Sequence, residues 1–259
     1  MELGIRGRTA IVCGSSKGLG RACAIALARE GVDVVINGRS AEAVETTVAE
    51  INAMGGGKAT GVVADATTAE GRAALLAACP APDILINNSG GPNPKMFAAT
   101  THEEWRDAVE RNMLSPLFLT QAVLPAMIER RFGRIINITS AMVTTPRPHM
   151  TMSSAPRAGL TAAMKGISLD VARFNVTIHN MLPERLDTDR QHFMAQTASK
   201  RENITYEEAR RKQVESIAAG RLGDPAEFGA TCCFLCSDLA GFMSGQNIHL
   251  DGGSYPALV

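Results

Sequence analysis

Residues 9–30 read TAIVCGSSKGLGRACAIALARE. Residues 9–13 are a short apolar run of the kind a sheet buries. Gly14, Gly18 and Gly20 then crowd a tight turn. From Leu19 the pattern turns helical, with Leu19, Ala22, Cys23, Ala26 and Leu27 recurring at three- and four-residue steps. Strand, glycine turn and helix in this order can cradle a nucleotide phosphate. Glycine lets the backbone approach the pyrophosphate, and the helix start offers free N–H groups and the positive end of its dipole. The spacing is Gly-x-x-x-Gly-x-Gly, not the commoner G-x-G-x-x-G, and any tight strand-to-helix turn also favours glycine. The rest of the chain must decide between the two.

Working outward, strands and helices alternate. Apolar runs predict strands at 33–37, 60–64, 84–86, 134–138, 176–182 and 247–250. Between them lie predicted helices at 41–54, from Thr67 or Thr68 to 79, at 101–130 with Pro116 and Pro125 as kinks or interruptions, at 158–173, and at 225–237 behind the cap Asp224. Residues 139–151 read as an irregular loop, with 153–157 at or before the start of the helix that follows. Residues 187–219 are polar and read as short helices forming a lid. Seven continuous apolar strands predict a mainly parallel sheet covered on both faces. The expected architecture is one doubly wound Rossmann domain spanning 1–259. Ligands of such sheets sit beyond the carboxyl ends of the strands.

The composition agrees. A chain of 259 residues at 45% hydrophobic content can bury a large core, and with only 4% aromatics that core is aliphatic. Lys plus Arg and Asp plus Glu each total 26, a balance that argues against a nucleic-acid or membrane-surface partner. The N-terminus lacks the order of a signal peptide, and no apolar run approaches a membrane span, so the expected location is the cytoplasm. Cys233 and Cys236 form a C-x-x-C without a second pair or paired histidines. In a helix interior this reads as buried structural cysteine, and no metal site is expected.

The second strand selects the dinucleotide. An acid about twenty residues past the glycine turn would bond the ribose 2′-hydroxyl of NAD. Here the strand runs into Asn37, Gly38, Arg39 and Ser40. Arg39, with Lys17 in the turn, suits a 2′-phosphate instead, so the expected cofactor is NADP(H).

Together these residues resemble the short-chain dehydrogenase/reductase family over nearly the whole chain. Gly14-x-x-x-Gly18-x-Gly20, with Ser16, Lys17 and Leu19 inside it, looks like the family's cofactor turn. Asp65 corresponds to its adenine-side acid, and Asn87-Asn88-Ser89-Gly90 is similar to its Asn-Asn-Ala-Gly signature. Asn112 matches the helix asparagine and Ser140 the active-site serine; Pro183 to Thr188 resembles the nicotinamide segment. The tail from Gly220 resembles the 3-oxoacyl-acyl-carrier-protein reductase branch. The resemblance implies cofactor contacts at Asn88, Gly90, Pro183 and Thr188, a small carbonyl or alcohol substrate, and a homotetramer built through 101–130, 158–173 and the last strand.

The chain departs from the family where proton transfer happens. The family's tyrosine and lysine positions hold Ser153 and Arg157, with no gap in the flanking helix. Reducing a ketone leaves charge on oxygen, which needs a proton and stabilisation. A serine hydroxyl is a far weaker acid than tyrosine, and arginine stays protonated. Three readings follow. One is an NADP-dependent reductase whose donor is water, His149, Glu184, Tyr206 or Tyr255. Another is a cofactor-binding protein with little turnover. The last is a non-redox enzyme on the same scaffold, as in halohydrin dehalogenases, which pair an arginine with a serine and a tyrosine.

Overall fold

Ala10 and Val12 face one side of a central sheet, Ile11 and Cys13 face the other, and all four are buried. Burial on both faces explains why the strands read as unbroken apolar runs. The computed structural model describes residues 2–258. Its sheet contains β1 (Thr9–Val12), β2 (Asp33–Gly38), β3 (Ala59–Val63), β4 (Ile84–Asn87), β5 (Gly133–Ile138), β6 (Val176–Pro183) and β7 (Gln246–Leu250). The order is β3-β2-β1-β4-β5-β6-β7, and every pair is parallel. The strand order therefore reverses between β1 and β4, where open α/β sheets bind ligands. The result is a single α/β domain.

Helices cover both faces. On one side α1 (Gly18–Arg29), α2 (Ala41–Ala53) and α9 (Pro225–Leu235) bury Leu27, Ile51 and Phe228. On the other, α3 (Ala69–Ala78), α5 (Ser115–Glu129) and α6 (Thr151–Val171) bury Leu75, Val123 and Leu160. Thr68, not Thr67, caps α3 by accepting from Gly71 N at 3.0 Å, because the Thr67 hydroxyl is committed to Asp65 at 2.7 Å. Asp224 caps α9 with Glu227 as its reciprocal partner.

Three expectations need correction. The interruption in 101–130 lies at neither proline. It is a π-helical turn, Glu110–Leu114, between α4 (His102–Val109) and α5. Pro116 sits near the start of α5, where its missing N–H costs little. The helix expected from 158 begins instead at Thr151, so Ser153 and Arg157 lie in its first two turns. Pro156 falls within it and forfeits one bond back to Met152. Buried Met152 and the anchored Arg157 side chain hold that turn in place. Residues 139–151 contain two short 3-10 turns rather than being irregular throughout.

A row of asparagines crosses the sheet in register. Asn87 Nδ2 donates to Asn137 Oδ1 (2.9 Å), Asn137 to Asn180 (3.1 Å) and Asn180 to Asn247 (3.0 Å). Nothing in local periodicity signals it, since its members lie tens of residues apart. All six cysteines are free and buried, and burial pushes Cys233 up to about 12. Among the described residues no helix is long and apolar enough to cross a membrane.

Candidate functional site

The glycine turn leaves β1 at the switch point. Gly14 and Gly18 have φ of +55° and +59°, a left-handed geometry that favours glycine. A Cβ on Gly20 would lie 2.4 Å from Gly14 O, so only glycine lets the turn close. Asn88 at the end of β4 donates to Gly14 O at 3.1 Å, tying the turn to the neighbouring strand. Ser16 packs where a Cβ on Gly38 would sit, and Leu19 packs against the core. Extended Lys17 precedes α1; its side chain is exposed and caps nothing, and the first turn of α1 has no acid. An uncapped helix start flanked by a cation is suited to phosphate.

Arg39 and Asp65 stand at the ends of β2 and β3, 3.9 Å apart, with the Arg39 side chain 72% exposed. Burial opposes ionisation of Asp65. Two hydrogen bonds from Thr67, and the charges of Arg111 and Arg39, outweigh it and hold the carboxyl below its usual range.

Arg157 gathers the opposite side of the site. Its Nη1 donates to Ile138 O (2.8 Å) and Thr139 O (3.0 Å), and its Nη2 to Ser89 O (3.3 Å). Burial, assisted by the like charge of Arg190, pushes it down to about 10, so it remains a cation at neutral pH. Ser89 Oγ lies 3.0 Å from Arg111 O and 3.3 Å from Asn112 Oδ1. Buried Asn112 rides on the π-helical turn and bonds Ala108 O at 3.1 Å. Ser140 Oγ accepts from Met142 N at 3.2 Å. Among the described residues no hydrogen bond joins Ser140 to Ser153. Nothing lies within 4 Å of where a Cβ on Gly90 would be.

Pro183 ends β6 opposite Leu250, and extended Thr188 precedes α7 (Asp189–Glu202). Helices α7 and α8 (Tyr206–Val214) occupy much of the expected lid. The candidate donors there are engaged. Tyr206 OH lies 2.7 Å from His192 Nδ1, and Glu184 pairs with Arg147 (2.6 Å) and Arg185 (3.6 Å). Ser89, Gly91, Arg147 and Arg190 also line this region, and the sequence reading passed over them as site residues. The local signals were the Asn87-Asn88-Ser89-Gly90 signature, which contains Ser89, and Arg147 between two prolines in a loop.

The model of the short chain dehydrogenase family matches residues 8–199. The chain belongs to that family. This short-chain dehydrogenase is 32% identical to the 3-oxoacyl-[acyl-carrier-protein] reductase FabG of Aquifex aeolicus, over 98% of this chain and all of the relative. It is 30% identical to FabG of Escherichia coli, over 98% and 99%. Its structure superposes on L-sorbose reductase from Gluconobacter frateurii, complexed with NADPH and L-sorbose, with a TM-score of 0.94, 25% identity and full coverage of both chains. YwfH, an NADPH-dependent reductase involved in bacilysin biosynthesis, gives a TM-score of 0.90 at 29% identity, covering 97% of this chain and 99% of YwfH. Family membership makes the chain an oxidoreductase with a nicotinamide cofactor site.

Proposed function

We propose that the protein is an NADP(H)-dependent carbonyl reductase, akin to the 3-oxoacyl reductases, with Ser153 and Arg157 in place of the usual tyrosine and lysine. The observation that carries this is the cofactor turn. It combines left-handed Gly14 and Gly18, an acid-free start to α1, and exposed Lys17 and Arg39 with no acid at positions 37–40. NADPH-dependent relatives add support.

Gly14, Ser16, Lys17, Gly18, Leu19 and Gly20 would hold the phosphates, Arg39 the 2′-phosphate and Asp65 the adenine side. Asn88, Gly90, Pro183 and Thr188 would flank the rest. When bound, the nicotinamide would supply a hydride to the acceptor carbon, with water supplying the proton that the oxygen takes up. Ser140 orients the acceptor oxygen, Asn112 braces Ser89, and the Arg157 charge favours negative oxygen nearby. The substrate is a small carbonyl or alcohol compound, and the protein works in the cytoplasm. A homotetramer is supported by an outward apolar groove of about 410 Å³, lined by Leu117, Phe118, Leu124 and Ile128 of α5 with Ile167 of α6.

The catalytic end favours a second reading, cofactor binding with slow turnover. Arg157 gives three donor contacts to carbonyls, and Tyr206 and Glu184 are already engaged. Calorimetric titration with NADPH and NADH tests the first claim. NADPH is expected to bind more tightly; a protein that ignores NADPH overturns it. Steady-state assay of simple ketones and 3-oxoacyl thioesters separates the two readings. Turnover near the ordinary 10 per second overturns the slow reading.

A further inference from the structure

The protein buries two arginines almost completely and treats their charges differently. Arg134, 1% exposed, has Asp238 within 3.8 Å. Arg157, 6% exposed, makes no ion pair among the described residues, and its partners are all neutral carbonyls. A buried charge left uncompensated is unfavourable, so a counter-ion is wanted there. Acids of the flanking segments pair with other cations: Glu184 with Arg147 and Arg185, Asp187 with Arg210, and Glu104 with Lys95. A second cation, exposed and without an ion pair among the described residues, adds its like charge. Arg190 of α7 donates to Pro92 O at 3.2 Å, while Arg157 holds Ser89 O, so the two guanidiniums grip opposite ends of the loop carrying Gly90 and Gly91.

Ser153 completes the arrangement. It is 4% exposed, and its hydroxyl has no hydrogen-bond partner among the described residues. It lies in the first turn of α6, a helix whose start has no acid and no side-chain cap, so the dipole also favours an anion. A Cβ built on Gly91 would lie 3.6 Å from Arg157 Nη2 and 3.8 Å from Ser153 Oγ, with nothing nearer. The absent side chain leaves room for a ligand atom between two donors.

We propose that Ser153 Oγ and Arg157 Nη2, meeting beside Gly91, form an anion pocket that takes a carboxylate of the substrate. This rests on the reductase reading for the word substrate, and it makes the favoured substrate class the oxo acids and their hydroxy counterparts. A hydroxyl and a guanidinium N–H offer one donor to each carboxylate oxygen, and charge-assisted bonds of this kind are the strong ones.

Fluorine NMR of the NADP⁺-saturated protein tests it, with trifluoroacetate against the equally shaped, neutral trifluoroacetamide. Saturation blocks the phosphate cradle. The acid is expected to bind about tenfold more tightly than the amide, the worth of one charge-assisted bond. Gly91→Ala makes only ordinary contacts and so folds, but its methyl fills the pocket and should abolish acid binding. Ser153→Ala should weaken it several-fold, with circular dichroism unchanged for both. Equal affinity for acid and amide, or undiminished acid binding in Gly91→Ala, overturns the pocket. If NADP⁺ itself fails to bind, the reductase reading falls. The same acid–amide comparison on the cofactor-free protein, wild type against Gly91→Ala, then decides the pocket separately.

Discussion

Arg157 Nη2 donates to the carbonyl of Ser89, 68 residues away in the chain, while its Nη1 holds the carbonyls of Ile138 and Thr139. One planar guanidinium thus staples the end of β4 to the end of β5. An ammonium reaches one point and cannot span both. Arg157→Lys alone should therefore lower stability by about 1–3 kcal/mol, the cost of stranding buried acceptors, as read by urea unfolding. Ser153→Tyr with Arg157→Lys should instead raise 3-oxoacyl reduction by about 10²- to 10⁴-fold, the usual worth of a positioned acid. No gain in rate would show that the pocket has diverged beyond these two positions.

Arg39 sits 3.9 Å from Asp65 on an exposed side chain. A surface pair of that kind contributes little, so Arg39 is free to turn to a phosphate. Arg39→Ala should weaken NADPH about tenfold, the loss of one charge-assisted contact, and leave NADH unchanged. Calorimetry on both cofactors checks this, and an unaltered NADPH preference counts against the assignment.

Asn137 is an interior rung of the asparagine row, donating to Asn180 and accepting from Asn87. Asn137→Leu removes both bonds; Asn87 Nδ2 keeps Thr120, but Asn180 Oδ1 loses its partner, at about 1–3 kcal/mol for a buried group left unsatisfied. The double variant with Asn180→Leu should cost less than the sum of the singles, because the bond they share is lost only once. Urea unfolding of the three variants measures the difference.

His179 is fully buried on β6, and burial, helped by the charge of Arg134, pushes it down to about 4. The folded state thus resists a proton that the unfolded chain accepts below about pH 6.5. Stability is unaffected above that pH. It falls as pH drops toward 4, by up to about 1.4 kcal/mol per unit. His179→Leu should flatten this slope between pH 6.5 and 4. Urea midpoints at pH 8 and pH 5 test it; equal slopes in both proteins would exclude His179 as the cause.

Most of the fold was legible residue by residue, because strand, turn and helix signals are local. Ile11 and Val12 announce a strand buried on both faces, and Gly14, Gly18 and Gly20 announce the turn. Absence of acid after Asn37 bears on the cofactor without any coordinates. The errors fell where tertiary contacts override local preference. Residues 153–157 read as lying at or before a helix start, yet α6 begins at Thr151 and runs through Pro156, because Met152 is buried and Arg157 is anchored. The π-helical turn at Asn112 left no periodic trace.

The chain's own order of residues determined the doubly wound sheet, the glycine cradle and the identities of Ser153 and Arg157. Their surroundings were decided only in three dimensions. The Arg157 partners lie 18, 19 and 68 positions away, and the asparagine row spans four strands. Such contacts depend on how separate segments pack, and a single sequence records the segments without recording which of them meet.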